Sequence, residues 1–323
     1  MSTVMDGRGW DRRSVLRAGA LLGAAATGLA GTLTSTGPAL AAASPVANGP
    51  WVVSVGYGVL HIDPDDPEPP RPLLDWGNEA TVSADGRYLA LVGTANDGTM
   101  NLFLIDRVTG QVRQLTGNTT IDGPHYHWPT FSPDGRKIAF VRNYDELCIL
   151  KLATGELRRA LAGVPLHSPS WSPDGTRIVY WYAGTQRPQL RTLTLTGGGV
   201  TRIHVQEHPG ERFYDPIFTP DSQRVVFVTT RWTPSGGTGQ ELASVGLDGT
   251  GLLRLTTGDR YYMSPVYSPD GRYLAVLSIP PTNPYPDGGN ILVMPGDFSD
   301  SWWIPGDEYD DSTRLTWAPA RPA

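Results

Sequence analysis

The chain of 323 residues contains a single cysteine, Cys148, so it forms no internal disulfide. Cys148 sits between Leu147 and Ile149 in a predicted strand and reads as a small buried apolar residue. Lysine is almost absent, occurring only at Lys137 and Lys151. Lys and Arg together number 26 against 32 Asp and Glu, a formal net charge of −6, and no basic stripe appears. Nucleic acid is therefore not the expected partner. No G-x-S-x-G elbow is present, which argues against a hydrolase of the α/β type. No glycine loop follows a strand to open a helix, so a phosphate cradle of that kind is not expected. Apolar runs are short beyond residue 30, while 38 Gly and 29 Pro leave little room for long helices.

What the chain does contain is a repeated phrase. "VSADGRYLAL" starts at Val82, "FSPDGRKIAF" at Phe131, "WSPDGTRIVY" at Trp171, "FTPDSQRVVF" at Phe218 and "YSPDGRYLAV" at Tyr267. The motif aspartates are Asp85, Asp134, Asp174, Asp221 and Asp270, spaced 49, 40, 47 and 49 residues apart. A truncated sixth copy, "LTWAPA", begins at Leu315. Such a period suits propeller blades. Ser-Pro-Asp-Gly is turn chemistry: Pro presets φ, Asp bonds back to nearby backbone and Gly accepts the positive φ that follows. After each turn comes a stretch apolar on both alternating faces, such as Ile138-Ala139-Phe140, which reads as a strand covered on both sides.

Two further strands follow in each unit, as in "MNLFLID" and "QVRQLTG", making four per repeat. Pro129, Pro169, Pro216 and Pro265 fall inside the first strand, where only an edge tolerates a residue that cannot donate to a ladder. The expected fold is all-β: a six-bladed β-propeller of four-stranded blades. The sixth blade is expected to combine the C-terminal "TRLTWAP" with the N-terminal strands beginning at Trp51, clasping the ring shut. Residues 51–323 form this single domain. A closed ring has no obligatory partner, so a monomer is expected.

The phrase P-x-W/F-S-P-D-G-x-x-I-A-F, seen most fully in "HWPTFSPDGRKIAFV" and "HSPSWSPDGTRIVYW", resembles the TolB-type β-propeller repeat. The resemblance covers essentially the whole chain after the N-terminal segment. It implies fold more than activity, because this propeller recurs in binding proteins, peptidase gatekeepers and lyases. No counterpart of the α/β domain carried by TolB itself is found.

The N-terminus reads as a targeting segment. "DRRSVLR" (Asp11–Arg17) precedes an apolar stretch, and "PALAAASP" offers Ala-x-Ala cleavage. The Arg12-Arg13 pair looks like a twin-arginine signal. Residues 1–43 are read as the cleaved signal and 44–50 as a linker. The expected partners include the twin-arginine export machinery, and the expected location is secreted, periplasmic or at the cell envelope.

Aligning the repeats on the motif Asp places one column at the expected channel mouth: Asn78, His127, His167, Tyr214, Met263 and Thr313. The next column is Glu79, Trp128, Ser168, Asp215, Ser264 and Arg314. Two readings follow. In the first, the loop-rich face is a non-catalytic binding surface for a protein, peptide or glycan. Its residues are Asn78, Glu79, His127, His167, Tyr214 and Asp215, with Trp232 and Tyr285 on the long loops as aromatic platforms. In the second, His127 and His167 ligate a divalent metal, and the protein is a metal-dependent polysaccharide or oligosaccharide lyase. That arrangement is similar to oligogalacturonate lyases, related propellers that hold a metal with several His and a Gln near the axis; here the column has two His and no Gln. No other cofactor is implied, and catalytic residues are not assigned.

Overall fold

The computed structural model describes residues 51–318 apart from 56–57, 63–70, 96, 185–187, 206–207, 234–238, 258–259, 280–289, 299–300 and 306–313. The targeting segment, the linker, Tyr285 and Thr313 thus lie outside the described residues.

Strands β1 to β3 are Trp51–Val55, Gly58–Ile62 and Arg71–Leu74. Strands β4 to β7 are Asn78–Val82, Tyr88–Thr94, Met100–Asp106 and Val112–Gln114. Strands β8 to β11 are Tyr126–Phe131, Lys137–Arg142, Glu146–Lys151 and Leu157–Leu161. Strands β12 to β15 are Leu166–Trp171, Arg177–Tyr182, Gln189–Thr194 and Val200–Ile203. Strands β16 to β19 are Phe213–Phe218, Arg224–Thr229, Glu241–Gly246 and Leu253–Arg254. Strands β20 to β23 are Tyr261–Tyr267, Tyr273–Ile279, Asn290–Pro295 and Trp302–Pro305, and β24 is Arg314–Trp317.

Among the described residues these strands form four-stranded antiparallel sheets. Five sheets are built from consecutive strands, β4–β7, β8–β11, β12–β15, β16–β19 and β20–β23. They are called the first to fifth sheets below. A further composite sheet has the order β24-β1-β2-β3, with Trp317 opposite Trp51 and Leu315 opposite Val53.

The apolar-on-both-faces pattern now has its physical reason. In β9, Ile138 and Phe140 pack into a cluster with Ala90, Val92, Leu102 and Leu104 of the first sheet. Ala139 and Val141 point the other way, toward Leu166, Ile178 and Tyr180 of the third. All four side chains are fully buried. Successive residues of a strand face opposite sides of the sheet, so a strand with neighbours on both sides has no polar face. The composite sheet is covered in the same manner. Val53, Leu315 and Trp317 join a cluster with Met263, Ala275 and Leu277 of the fifth sheet. Val59 and Ala318 join one with Leu89 and Leu91 of the first. Burying each such Val, Leu or Ile contributes roughly 1.5–3 kcal/mol before entropy is counted.

The first strands of the sheets touch one another in order, and β24 touches both β20 and β4. Each of the five consecutive first strands is bulged at the same place: its register slips between Asn78 and Thr81, His127 and Thr130, His167 and Ser170, Tyr214 and Ile217, and Met263 and Val266. The prolines predicted for an edge strand lie at four of these bulges. They remove no ladder bond that the bulge has not already broken.

The motif turns are locked by their own side chains. Ser172 Oγ donates to Asp174 Oδ1 at 2.6 Å and accepts the Arg177 N–H at 2.9 Å. The same pair of bonds recurs from Ser83, Ser132, Thr219 and Ser268. Gly175 takes φ 71°, which closes the turn. The Ser172 hydroxyl, with help from Thr176 and Arg177, holds the Asp174 carboxyl down to about 2 despite partial burial.

Ser172 is fully buried, and Ser172→Ala leaves the Arg177 N–H without its acceptor. The variant is expected to lose about 1–3 kcal/mol in denaturant unfolding. Because the folded-state pKa of Asp174 lies below its unfolded value, its contribution is complete above the ordinary carboxylate range. That contribution disappears as pH falls toward about 2. Asp174→Asn should therefore be less stable than wild type at neutral pH, with the gap closing in acid.

Candidate functional site at the mouth of the first strands

The bulges decide what the mouth looks like. At each one a non-glycine residue takes positive φ: Glu79 (51°), Trp128 (51°), Ser168 (46°), Asp215 (44°) and Ser264 (54°). This is the second column of the aligned repeats, and four of its members precede a proline. Left-handed backbone costs of order 1–3 kcal/mol per residue and persists only where the surroundings compensate it. Here the compensation is a set of bonds from sheet to sheet. Glu79 Oε2 accepts the Trp128 N–H at 2.5 Å. Asp215 accepts from the Ser168 hydroxyl on one side, at 2.8 Å, and from the Ser264 N–H on the other, at 3.0 Å. Ser264 Oγ in turn accepts the Leu315 N–H at 3.0 Å. Glu79 and Asp215, expected to face a ligand, act in the structure as acceptors that tie neighbouring first strands together.

The neighbouring column builds a belt of rings. His127 stacks on Tyr144 with centroids 4.2 Å apart and the rings inclined by 29°, and it contacts Trp128 at 5.1 Å. Trp128 contacts His167 at 4.8 Å, and His167 stacks on Trp181 at 4.2 Å with an interplanar angle of 15°. Trp181 meets Tyr214 edge-on at 5.5 Å. The belt thus runs across the second, third and fourth sheets. His125, just before β8, extends it with a ring 6.4 Å from His127.

Tyr144 is held with care. It is the second of the three residues, Asn143 to Asp145, that join β9 to β10; Asn143 and Tyr144 both have positive φ, 55° and 62°. The Asp145 N–H donates back to the Arg142 carbonyl at 3.3 Å. Asn143 exchanges bonds with the backbone of His125 at 2.9 and 3.0 Å, and the Tyr144 carbonyl accepts the Leu166 N–H at 2.9 Å. The residue remains 45% exposed, so it is presented to solvent on a hydrogen-bonded backbone.

Electrostatics at the mouth are mild. His127 Nδ1 lies 3.5 Å from Glu79 Oε1, while its buried Nε2 has no hydrogen-bond partner. Burial, and then the neighbouring His127, lower the His167 pKa to about 4, against a smaller opposing pull from Asp215. His167 is therefore a neutral stacked ring at neutral pH. Nearby, Glu211 is buried with Thr229 Oγ1 at 2.8 Å and Arg231 Nη1 at 3.0 Å, and burial raises its pKa. That pair anchors the segment leading into β16.

Asn78 begins β4 opposite Val92 and is half-buried, outside the ring belt. Trp232 packs against the cluster between the third and fourth sheets, with the Arg254 guanidinium 5.3 Å over its ring. Among the described residues no three His, Cys, Asp or Glu converge in a way that would hold a metal ion. His127 and His167 both rest on Trp128 and Tyr144. Tyr144 and Trp181 were not singled out from the sequence. The signal for Trp181 was available, because it stands opposite His167 where the other consecutive sheets carry Val or Leu.

Four-stranded sheets packed face to face, with their first strands in mutual contact, define a β-propeller. The sequence model of the TolB beta propeller domain matches residues 126–283. A Tol-Pal system protein TolB from Francisella tularensis subsp. holarctica (strain OSU18) is 30% identical over 207 residues, 61% of this chain and 44% of that protein. The chain is thus a β-propeller that is TolB-like over the residues matched. It spans less than half the length of the curated relatives it matches. TolB from Acinetobacter baumannii superimposes with a TM-score of 0.64 at 20% identity, over 84% of this chain and 67% of that one. An oligogalacturonate lyase in complex with manganese gives 0.54 at 18% identity, over 80% and 74%. At these identities the two structures speak to the fold alone.

Two measurements probe the mouth. Asp215→Ala leaves two donors from different sheets without their shared acceptor and is expected to cost about 1–3 kcal/mol. Unfolded His binds its proton near 6.5, whereas folded His167 does so near 4. Stability should therefore fall as pH drops through that window. His167→Phe keeps the stack on Trp181 and removes the titration, so its melting temperature should change less between pH 7 and pH 4.5 than that of wild type.

Proposed function

We propose that this chain is an exported, non-catalytic binding module that takes a protein, peptide or glycan on the mouth face of a closed six-bladed ring. The composite sheet serves as the sixth blade. Its clusters with both the fifth and the first sheets support that reading, as does the pairing of β24 with β1. The twin-arginine pattern at Arg12-Arg13 supports export in the folded state, with the periplasm or cell envelope as the place of action. The relatives named as Tol-Pal system proteins are consistent with work at that location.

The observation that carries the binding role is the ring belt. Tyr144, His127, Trp128, His167, Trp181 and Tyr214 supply adjoining ring faces and edges from three sheets. Tyr and Trp are the residues that dominate recognition surfaces, since large rigid rings lose little entropy on contact. The same belt supplies little chemistry. Its carboxylates are engaged in ties between sheets, and its imidazoles are stacked rather than poised over an open position.

Ligand screening by tryptophan fluorescence follows directly, because Trp128 and Trp181 belong to the belt. Peptides and envelope-type oligosaccharides should include a ligand that changes this emission saturably. Tyr144→Ala should weaken that ligand at least tenfold without altering the fold. The ligand should be recovered intact by mass spectrometry after long incubation; its cleavage would replace the binding role with an enzymatic one.

A further inference from the structure

The face opposite the mouth carries a cationic groove. The β9–β10 ladder runs from Arg142 opposite Glu146, beside Tyr144, to Lys137 opposite Lys151 at the far end. There a groove of about 690 Å³ opens between the first and second sheets. Its lining includes Arg87, Arg113, Arg136, Lys137 and Lys151 but a single carboxylate, Asp106. In a chain of net charge −6, both lysines of the whole sequence stand in this one groove.

The arrangement is not a by-product of the repeat. The corresponding cross-strand pairs in the other consecutive sheets are Tyr88–Asp106, Arg177–Thr194, Arg224–Gly246 and Tyr273–Pro295. Only the second sheet sets two cations directly opposite each other, which destabilises a sheet. The arginines at the Lys137 position elsewhere are used internally. Arg177 donates to the Ser222 carbonyl at 3.0 Å, and Arg224 donates to Ser244 Oγ at 3.0 Å and the Gly251 carbonyl at 2.5 Å. The Lys137 ammonium and the Arg136 guanidinium make no side-chain hydrogen bond or close ion pair among the described residues; both only help, at longer range, to lower the pKa of the Asp134 carboxyl.

The remaining cations are differently disposed. Arg87 is paired with Asp106 at 2.9 Å. Lys151 meets Glu156 at 2.7 Å, but both side chains are about half exposed, so the pair is weak and easily exchanged. Arg113 reaches across from β7 to donate to the Leu152 carbonyl at 3.2 Å, fixing the width of the groove without neutralising its charge.

We propose that this groove binds a small molecule bearing at least two anionic groups, phosphates or carboxylates, held by Arg136 and Lys137 with Arg113 and Lys151 alongside. The volume is that of a small-molecule site. Guanidinium forks and an ammonium point charge both recognise such oxygens. The site is independent of the ring belt, since the ladder separates the two faces.

The test uses the full chain at low ionic strength, titrated calorimetrically with inorganic pyrophosphate and, separately, with citrate. One of the two should bind saturably at one equivalent, and which one does so distinguishes a phosphate ligand from a carboxylate ligand. Acylation of side-chain amines gives a readout that needs no variant, because Lys137 and Lys151 are the only lysines; the bound anion should slow acylation of Lys137 at least several-fold. The double variant Arg136→Ala, Lys137→Ala should lose at least tenfold in affinity with an unchanged melting temperature. Failure of both anions to bind saturably would overturn the proposal. So would a bound anion that leaves Lys137 acylation unchanged, or an unchanged affinity in the double variant.

Discussion

Everything in this molecule depends on the fact that a four-stranded sheet with two apolar faces cannot stand alone. Ile138 and Phe140 need a cover on one side of the second sheet, and Ala139 and Val141 need one on the other. The nearest copies in the chain provide both. Each sheet thereby becomes the cover of its neighbours. The composite sheet of β24 and β1 to β3 packs in the same way against the fifth and the first sheets. Cys148 belongs to the same logic: fully buried in the cluster between the first two sheets, its thiol pKa is pushed up to about 11 by burial, and it serves as packing.

The inner edges impose a second constraint. The first strands touch one another, and each of the five consecutive ones breaks its ladder at a bulge with a left-handed residue. The strain is offset by bonds that run around the convergence rather than along a strand, from Glu79 to Trp128 and from Asp215 to Ser168 and Ser264. These ties orient the column beside them. His127, His167 and Tyr214 take part in one aromatic belt, and the short Asn143-Tyr144 turn adds a ring to it.

The two faces of the structure differ in chemistry because different parts of the repeat supply them. The mouth is built from bulges and the loops between second and third strands, and it is aromatic with mild charge. The opposite face is built from motif turns and the hairpins after third strands. Those turns are conserved in form by their Ser–Asp bonds, so variation there falls on the residues beside them. In the second sheet that variation concentrates five cationic side chains in one groove lined by a single carboxylate.

Much of the fold was legible because its causes are local. The Ser-Pro-Asp-Gly phrase specifies a turn by its own side chains, and two-sided apolar strands announce neighbours on both faces. The prolines marked the first strand as an edge. The offsets from the motif Asp line up residues that fall at the same bulge in each of the five consecutive first strands. What those columns do was not legible, because it depends on distances between residues 40 to 50 positions apart. Glu79 and Asp215 look like ligand carboxylates in a list of residues, and only the approach of Trp128, Ser168 and Ser264 turned them into ties between strands. Likewise Lys137 and Lys151 are two ordinary surface lysines until strand register sets them side by side. Sequence determined the unit, since a turn and a strand are decided within ten residues. Tertiary structure decided the sites, since convergence of separate units sets which polar groups are consumed by packing and which are left to meet a ligand.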